Sequence, residues 1–193
     1  MMRCYYSVKQ SPCKKKEKMK SLRAILIVIG VITLIITLFL SLSSNQKMIT
    51  LVEGNLAKQP IPIILNHFQD TECGMVIDNL NFASQIVAPD GKTWFFHDHG
   101  SMVAWLNRKP FKKEAVVWVY AKDTQKWIDG YQAWYSRDEE TPMLYGFGAY
   151  EKKQSNLIPF ETMQLHMLRG ETMANPIVRQ QLIKQKGESN GSD

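Results

Sequence analysis

The apolar positions along the chain change rhythm twice. From residue 24 to 42, AILIVIGVITLIITLFLSL runs without a charge, an Asn or a Gln. From 43 to about 80, apolar and polar residues mix without a sustained period, and from 81 onward short alternating stretches separate turn residues. The first regime predicts a membrane-crossing helix. About 19 residues rising roughly 1.5 Å each nearly span a hydrocarbon core of about 30 Å. A cleaved signal peptide is the rival reading, with Ser41-Leu42-Ser43 as a weak cleavage site. Its apolar core is usually only about 7–15 residues long, so an uncleaved anchor is the expectation. The segment 19-MKSLRAIL-26 also reads as a start of its own, which would make residues 1–18 an upstream extension.

The third regime predicts hairpins and helices. In 81-NFASQIVA-88, Phe82, Ser84, Ile86 and Ala88 share one strand face, and Ala83, Gln85 and Val87 the other. The turn 89-PDGK-92 follows, with Pro presetting φ and Gly supplying a positive φ, and 93-TWFFH-97 is the return strand. Ser101 is a plausible N-cap for a helix over 100–109. The pattern loosely repeats, with a strand at 114–121, a turn at 122–126 and one or two short strands over 127–135. A glycine-containing strand follows at 141–151, then a helix over 157–170 closed by Gly170, and a further helix within 171–187. The stretch 61–70 holds at most a short strand.

These elements predict an α+β fold, in which an N-terminal transmembrane helix precedes a small extracytoplasmic domain of two related β-hairpin-plus-helix halves. The expected boundaries are a basic tail at 1–23, the anchor at 24–42, a linker at 43–60, the α+β domain at 61–187 and a disordered tail at 188–193. About 150 residues suffice to bury a core without staples.

Charge adds orientation. The formal net charge is +6, but residues 1–23 hold eight Lys or Arg against one Glu, while residues 44–193 hold 16 against 17 Asp or Glu. The basic character therefore belongs to the segment before the apolar run. Positive charge there keeps that end cytoplasmic and sends the domain outward, as a single-pass protein of the cytoplasmic membrane. The outer domain has no positive field to attract phosphate backbones, so no nucleic-acid partner is expected.

Cysteine usage adds chemistry. Cys4 and Cys13 precede the apolar run, and Cys73 is alone in the outer domain. A lone thiol in an oxidising compartment is a reactive sulfur, an intermolecular partner or a ligand. In 73-CGM-75 a thiol and a thioether flank a glycine that lets the backbone turn both sulfurs inward. Soft donors select Cu(I), although Cys and Met also pack well in cores. In 97-HDHGSM-102, His97 and His99 point to one face if the strand continues, and Met102 follows within the helix. A polar loop with solvated histidines is the plain alternative. Met143, in 141-TPMLYGFGAY-150, either presents a thioether to a cleft or fills a gap. Met163, His166 and Met167 lie at helical spacing and read as a packed face. There is no defensible Ser–His–Asp spacing, phosphate loop or zinc-type cysteine pair, so an enzyme is not expected.

The ordered series Asp70, Cys73, Gly74, Met75, Gln85, Asp90, Gly91, Phe95, Phe96, Asp98, Met102, Trp105 and Leu106 resembles the NosL family, over roughly residues 63–165. These are accessory proteins of nitrous oxide reductase, regarded as Cu(I) metallochaperones outside the cytoplasm. The resemblance implies two small α+β halves and a Cu(I)-carrying role in denitrification. The implied partners are a copper-receiving enzyme, nitrous oxide reductase, or its loading complex. This chain departs from the family's usual lipoprotein form, since no lipid-modifiable cysteine directly follows the apolar run. The expected metal site comprises Cys73 and Met75 with a further donor from His97, His99, Met102 or Met143. Two other readings stay open at this level: a membrane-tethered adaptor with Cys73 buried, and a thiol enzyme, for which the outer domain offers no resolving cysteine.

Overall fold

The structure, a computed structural model, describes residues 13–42 and 48–190. The chain divides into two units, at Met1–Gln46 and Lys47–Asp193.

The first unit is the helix α1 (Cys13–Leu42). Its stretch Leu22–Ser41 is strongly apolar, with Arg23 its one charged residue, and none of it is buried against protein. It is long enough to cross a membrane, and near the N-terminus it also has the character of a signal sequence.

The second unit is mixed α+β. Its strands are β1 (Leu51–Val52), β2 (Ser84–Val87), β3 (Thr93–Phe96), β4 (Val116–Ala121), β5 (Lys126–Asp129), β6 (Trp134–Tyr135), β7 (Ala149–Tyr150) and β8 (Ile158–Pro159). Its helices are α2 (His99–Asn107), which follows β3, then α3 (Phe160–Leu168) and α4 (Pro176–Asn190). A five-stranded antiparallel sheet has the order β1-β3-β2-β4-β5, and a three-stranded sheet the order β7-β6-β8. The 89–92 turn closes β2 onto β3 as the sequence predicts, with Ser84 opposite Phe96 and Val87 opposite Thr93. The two hairpins lie side by side in one sheet. β2 and β4 pair edge to edge within one sheet, and three more strands come before the next helix.

β2 is buried at every position, because both faces of the sheet are covered. Ile86, Phe96, Val117 and Val119 pack with Met102, Trp105 and Leu106 of α2, and with Phe160 and Met163 of α3. On the opposite face Ala83 and Phe95 pack with Phe68 and Ile77. The polar residues of β2 are satisfied on both sides. The Gln85 amide bonds the backbone N–H and C=O of Ile61, each at 2.8 Å, and Ser84 meets His99.

Residues 48–60 are part of this cover, not a free linker. β1 pairs with β3, and the Trp118 indole donates to the Lys58 carbonyl at 2.9 Å. The 61–70 stretch contributes single bridges at Phe68 and Gln69 instead of a strand. α2 starts at His99, capped by Asp98, three residues before the expected cap Ser101. α4 runs on to Asn190, so the tail expected at 188–193 is helical as far as it is described; residues 191–193 lie outside the described residues.

Gly91 locks the hairpin turn to the residues before it. Its φ is +81°, and a Cβ there would stand 3.0–3.2 Å from the Asn55 backbone, whose N–H donates to the Gly91 carbonyl at 2.9 Å. Gly54 has a similar φ of +84° but open space around it. Gly91→Ala is therefore expected to destabilise by about 2 kcal/mol and Gly54→Ala by less, as read by urea denaturation of the two variants.

Candidate functional site

Cys73 stands on a tight loop built around the buried carboxylate of Asp70. The Asp70 N–H donates to the Met75 carbonyl at 2.8 Å, and the Gly74 N–H returns to the Asp70 carbonyl at 2.9 Å. Gly74 takes φ +76°, a backbone state that favours glycine. The Asp70 side chain fills the loop's interior: Oδ1 accepts from the N–H of Glu72 at 2.7 Å and of Cys73 at 3.1 Å. Thr71 ties the loop to β3 and to the segment before β1, through the Phe95 and Thr50 carbonyls.

Asp70 Oδ2 faces the end of β3. It accepts from the His97 backbone N–H at 2.9 Å and from His97 Nδ1 at 2.7 Å. Both side chains are buried, and His97 Nε2 has no hydrogen-bond partner. Cys73 Sγ lies 3.7 Å from His97 Nδ1. Two ligands at roughly 2.0 and 2.3 Å on a tetrahedral metal are separated by about that distance. Ligand atoms of Asp70, Cys73 and His97 all lie within 4.8 Å of one another, a group that could hold a metal ion.

Electrostatics keeps this group proton-rich at the sulfur. Burial pushes the Cys73 thiol up, the Met75 amide opposes this, and the Asp70 charge adds to the rise. Burial alone would raise Asp70 as well. Hydrogen bonds from the His97 side chain and from the amides of His97, Cys73 and Glu72 reverse that and hold its carboxyl below the usual range. An upward-shifted thiol is a poor nucleophile at neutral pH and gives up its proton when a metal binds.

The other sequence candidates separate. Met75 is 42% exposed on the Cys73 loop. His99 does not join His97, because the helix begins at His99 and turns it inward. It is fully buried, 3.2 Å by Nδ1 from the Ser84 hydroxyl, and edge-on to Tyr135. Burial and the Lys122 charge depress it to about 3. Met102 is wholly buried in the main core, and Met163 and Met167 also pack there. His166 pairs with Glu171 at 2.5 Å. Met143 is half-buried, with its N–H donating to Asp98 Oδ2 at 3.0 Å.

Three residues absent from the candidate set on composition alone belong beside it. Asp70 precedes Cys73 by three positions, the spacing at which an aspartate crowns a turn's amides. Asp98 caps α2. Tyr145 packs over Gly100, and its phenol lies in the field of Asp98, Glu72, Cys73 and Asp70. Nothing in the local sequence of Tyr145 signals that position. Comparison of the chain with protein-family models and with curated proteins found no match.

Proposed function

We propose that this protein is a membrane-anchored Cu(I) carrier whose outer domain holds the metal on Cys73 and His97, with Met75 on the same loop as a further soft donor. The observation that carries this reading is the 3.7 Å approach of Cys73 Sγ to His97 Nδ1 beside a carboxylate already engaged by three main-chain amides. Those amides hold Asp70 as the support that orients the ring and the loop, and sulfur and imidazole become the donors once a metal displaces the Nδ1 proton shared with Asp70. Such a set favours a soft, low-coordinate ion. An open site suits a carrier, because a recipient's ligand can enter and displace the protein's own donors stepwise. The resemblance to NosL proteins points the same way and names the recipient as nitrous oxide reductase or its loading complex. The basic flank before the apolar run would put the domain outside the cytoplasm. In this reading the two halves of the NosL fold correspond to the paired hairpins β2–β3 and β4–β5.

A second reading has its own support. Asp70 Oδ2 is 2.7 Å from His97 Nδ1, so a metal that displaces the Nδ1 proton brings an oxygen donor within reach. That mixed set also suits Zn(II).

The test is anaerobic Cu(I) competition against a chromophoric chelator, with Zn(II) run in parallel, on the full chain in detergent with Cys4 and Cys13 replaced by Ser. One Cu(I) equivalent withdrawn by the parent and none by its Cys73→Ser variant is the expected result. Tighter retention of Zn(II) than of Cu(I) would transfer the site to the second reading. If parent and variant bind equally poorly, Cys73 is a packing residue and the adaptor reading gains.

A further inference from the structure

The segment 141–146 crosses the N-terminus of α2 and is fastened there by side chains that the copper reading leaves without a task. Asp98 is fully buried. Its Oδ1 caps the helix by accepting from the Gly100 N–H at 2.9 Å. Its Oδ2 accepts from the Met143 N–H at 3.0 Å, and the Thr141 hydroxyl also hydrogen-bonds its carboxylate. The Thr141 oxygen, itself buried, accepts in turn from the N–H of Tyr145 at 3.0 Å and of Gly146 at 3.3 Å. Between these points Leu144 is held at φ +56°, which is costly for a branched side chain, and it is left 39% exposed. Tyr145 lies so close over Gly100 that a Cβ there would stand 2.3 Å from its ring.

A segment pinned at both ends, strained in the middle and seated on a bare glycine is held in one place. That place is beside the Cys73 site. Asp98 immediately follows His97, and the Tyr145 phenol feels the Cys73, Asp70 and Glu72 charges. We propose that Asp98 is a positioning residue, which clasps the 141–146 strap through Met143 and Thr141 so that Met143 and Tyr145 stand against the Cys73–His97 pair. This rests on the copper reading for its consequence in affinity, but the clasp itself can be read without metal.

The chemistry of one substitution separates clasping from capping. Asp98→Asn keeps an oxygen for the Gly100 N–H but turns an NH₂ toward the Met143 N–H, which cannot become an acceptor. Thr141→Val removes the clasp from the other side, and Thr141→Ser keeps the hydroxyl. The experiment uses the full chain in detergent, with Cys73 as the remaining thiol. It follows the alkylation rate of metal-free Cys73 by iodoacetamide, the Cu(I) affinity by chelator competition, and the thiolate-to-Cu(I) absorption.

Asp98→Asn and Thr141→Val should each speed alkylation and weaken Cu(I) binding about tenfold, the usual order for a support behind a metal ligand. Helical circular dichroism should be unchanged, and Thr141→Ser should behave as wild type. The double variant should be no worse than the stronger single, since both break one link. Wild-type alkylation in Asp98→Asn and Thr141→Val, or effects that simply add, would overturn the clasp. Should Asp98→Asn fail to fold, Thr141→Val decides alone. If wild type itself takes no Cu(I), the copper reading falls, and the alkylation rates still decide the clasp.

Discussion

Asp70→Ala should lower the stability of the α+β unit by about 3 kcal/mol, the order expected when a buried charged acceptor is removed from its partners. The carboxylate is 1% exposed. It accepts from the N–H groups of Glu72, Cys73 and His97 and from the His97 ring. Alanine leaves these donors facing a small void with no replacement acceptor. The other ties of the Cys73 loop are the backbone bonds between Asp70 and Gly74 or Met75, the Thr71 bonds, the Gln69 side-chain amide on the Gly74 carbonyl, and the half-exposed Arg108 paired with Glu72. Asp70→Asn should fall between wild type and alanine. Its one oxygen can serve Glu72 and Cys73 while its NH₂ opposes the His97 donors. Urea denaturation of the three proteins gives the order directly. An alanine variant within about 0.5 kcal/mol of wild type, the usual range for an indifferent surface change, would mean the loop is held by its other ties, and the role of Asp70 as the site's support would be withdrawn.

The fold was legible where a local rule acted alone. The PDGK turn and the strands either side of it follow from turn chemistry and alternation, and Gly91 does take a positive φ. The long apolar run yields a helix by length and composition. The parts that were not legible depend on contacts distant in sequence. Residues 48–60 look like a polar connector because they hold on through scattered contacts: a two-residue strand at Leu51–Val52, the Asn55 N–H on the Gly91 carbonyl, and the Lys58 carbonyl that receives the Trp118 indole. No periodicity announces such a cover. The pairing of β2 with β4 is likewise invisible to local pattern, and it places both hairpins in one sheet.

The site was half legible for the same reason. Cys73 stood out by its solitude, and His97 by its place at a strand end. Their meeting depends on Asp70, which reads as an ordinary loop aspartate until the chain returns β3 beside it. The pairing of His97 with His99 failed on one residue of register. A strand would have set both on one face, but the Asp98 cap starts the helix at His99 and rotates that ring into the core. Met102 follows the same helix inward.

The register that removed His99 from the site gives the second large effect. His99 is fully buried and neutral, and burial with the Lys122 charge holds its folded pKa at about 3, well below the ordinary histidine value of 6.5. Ser84, the Tyr135 ring and the charge of Lys122 are the groups around it that bear on its titration. A depressed histidine stabilises the fold above its unfolded pKa, because neither state then binds the proton. Below about 6.5 the unfolded chain takes up a proton that the folded core refuses, and stability falls until the folded group titrates near 3. From pH 7 to pH 3 this linkage amounts to about 4 kcal/mol. Asp70, also depressed, adds a loss of the same sign once pH drops below its unfolded value of 3.8. Asp98 acts oppositely: burial raises it, so its contribution is present at low pH and is lost as pH rises through its folded value. Below about pH 6 the slope is the sum of the His99 loss and the opposing Asp98 term, and only the difference between two proteins that share Asp98 shows the His99 part. Urea midpoints measured across that window for wild type and His99→Asn isolate it, since asparagine can still meet Ser84 but does not titrate. The variant should start less stable, because it leaves a cavity under Tyr135, and should then lose little as the pH falls. Parallel slopes for the two proteins would show that water reaches the ring and that His99 titrates normally in the folded chain. The buried, helix-turned placement that takes it away from Cys73 would then be wrong as well.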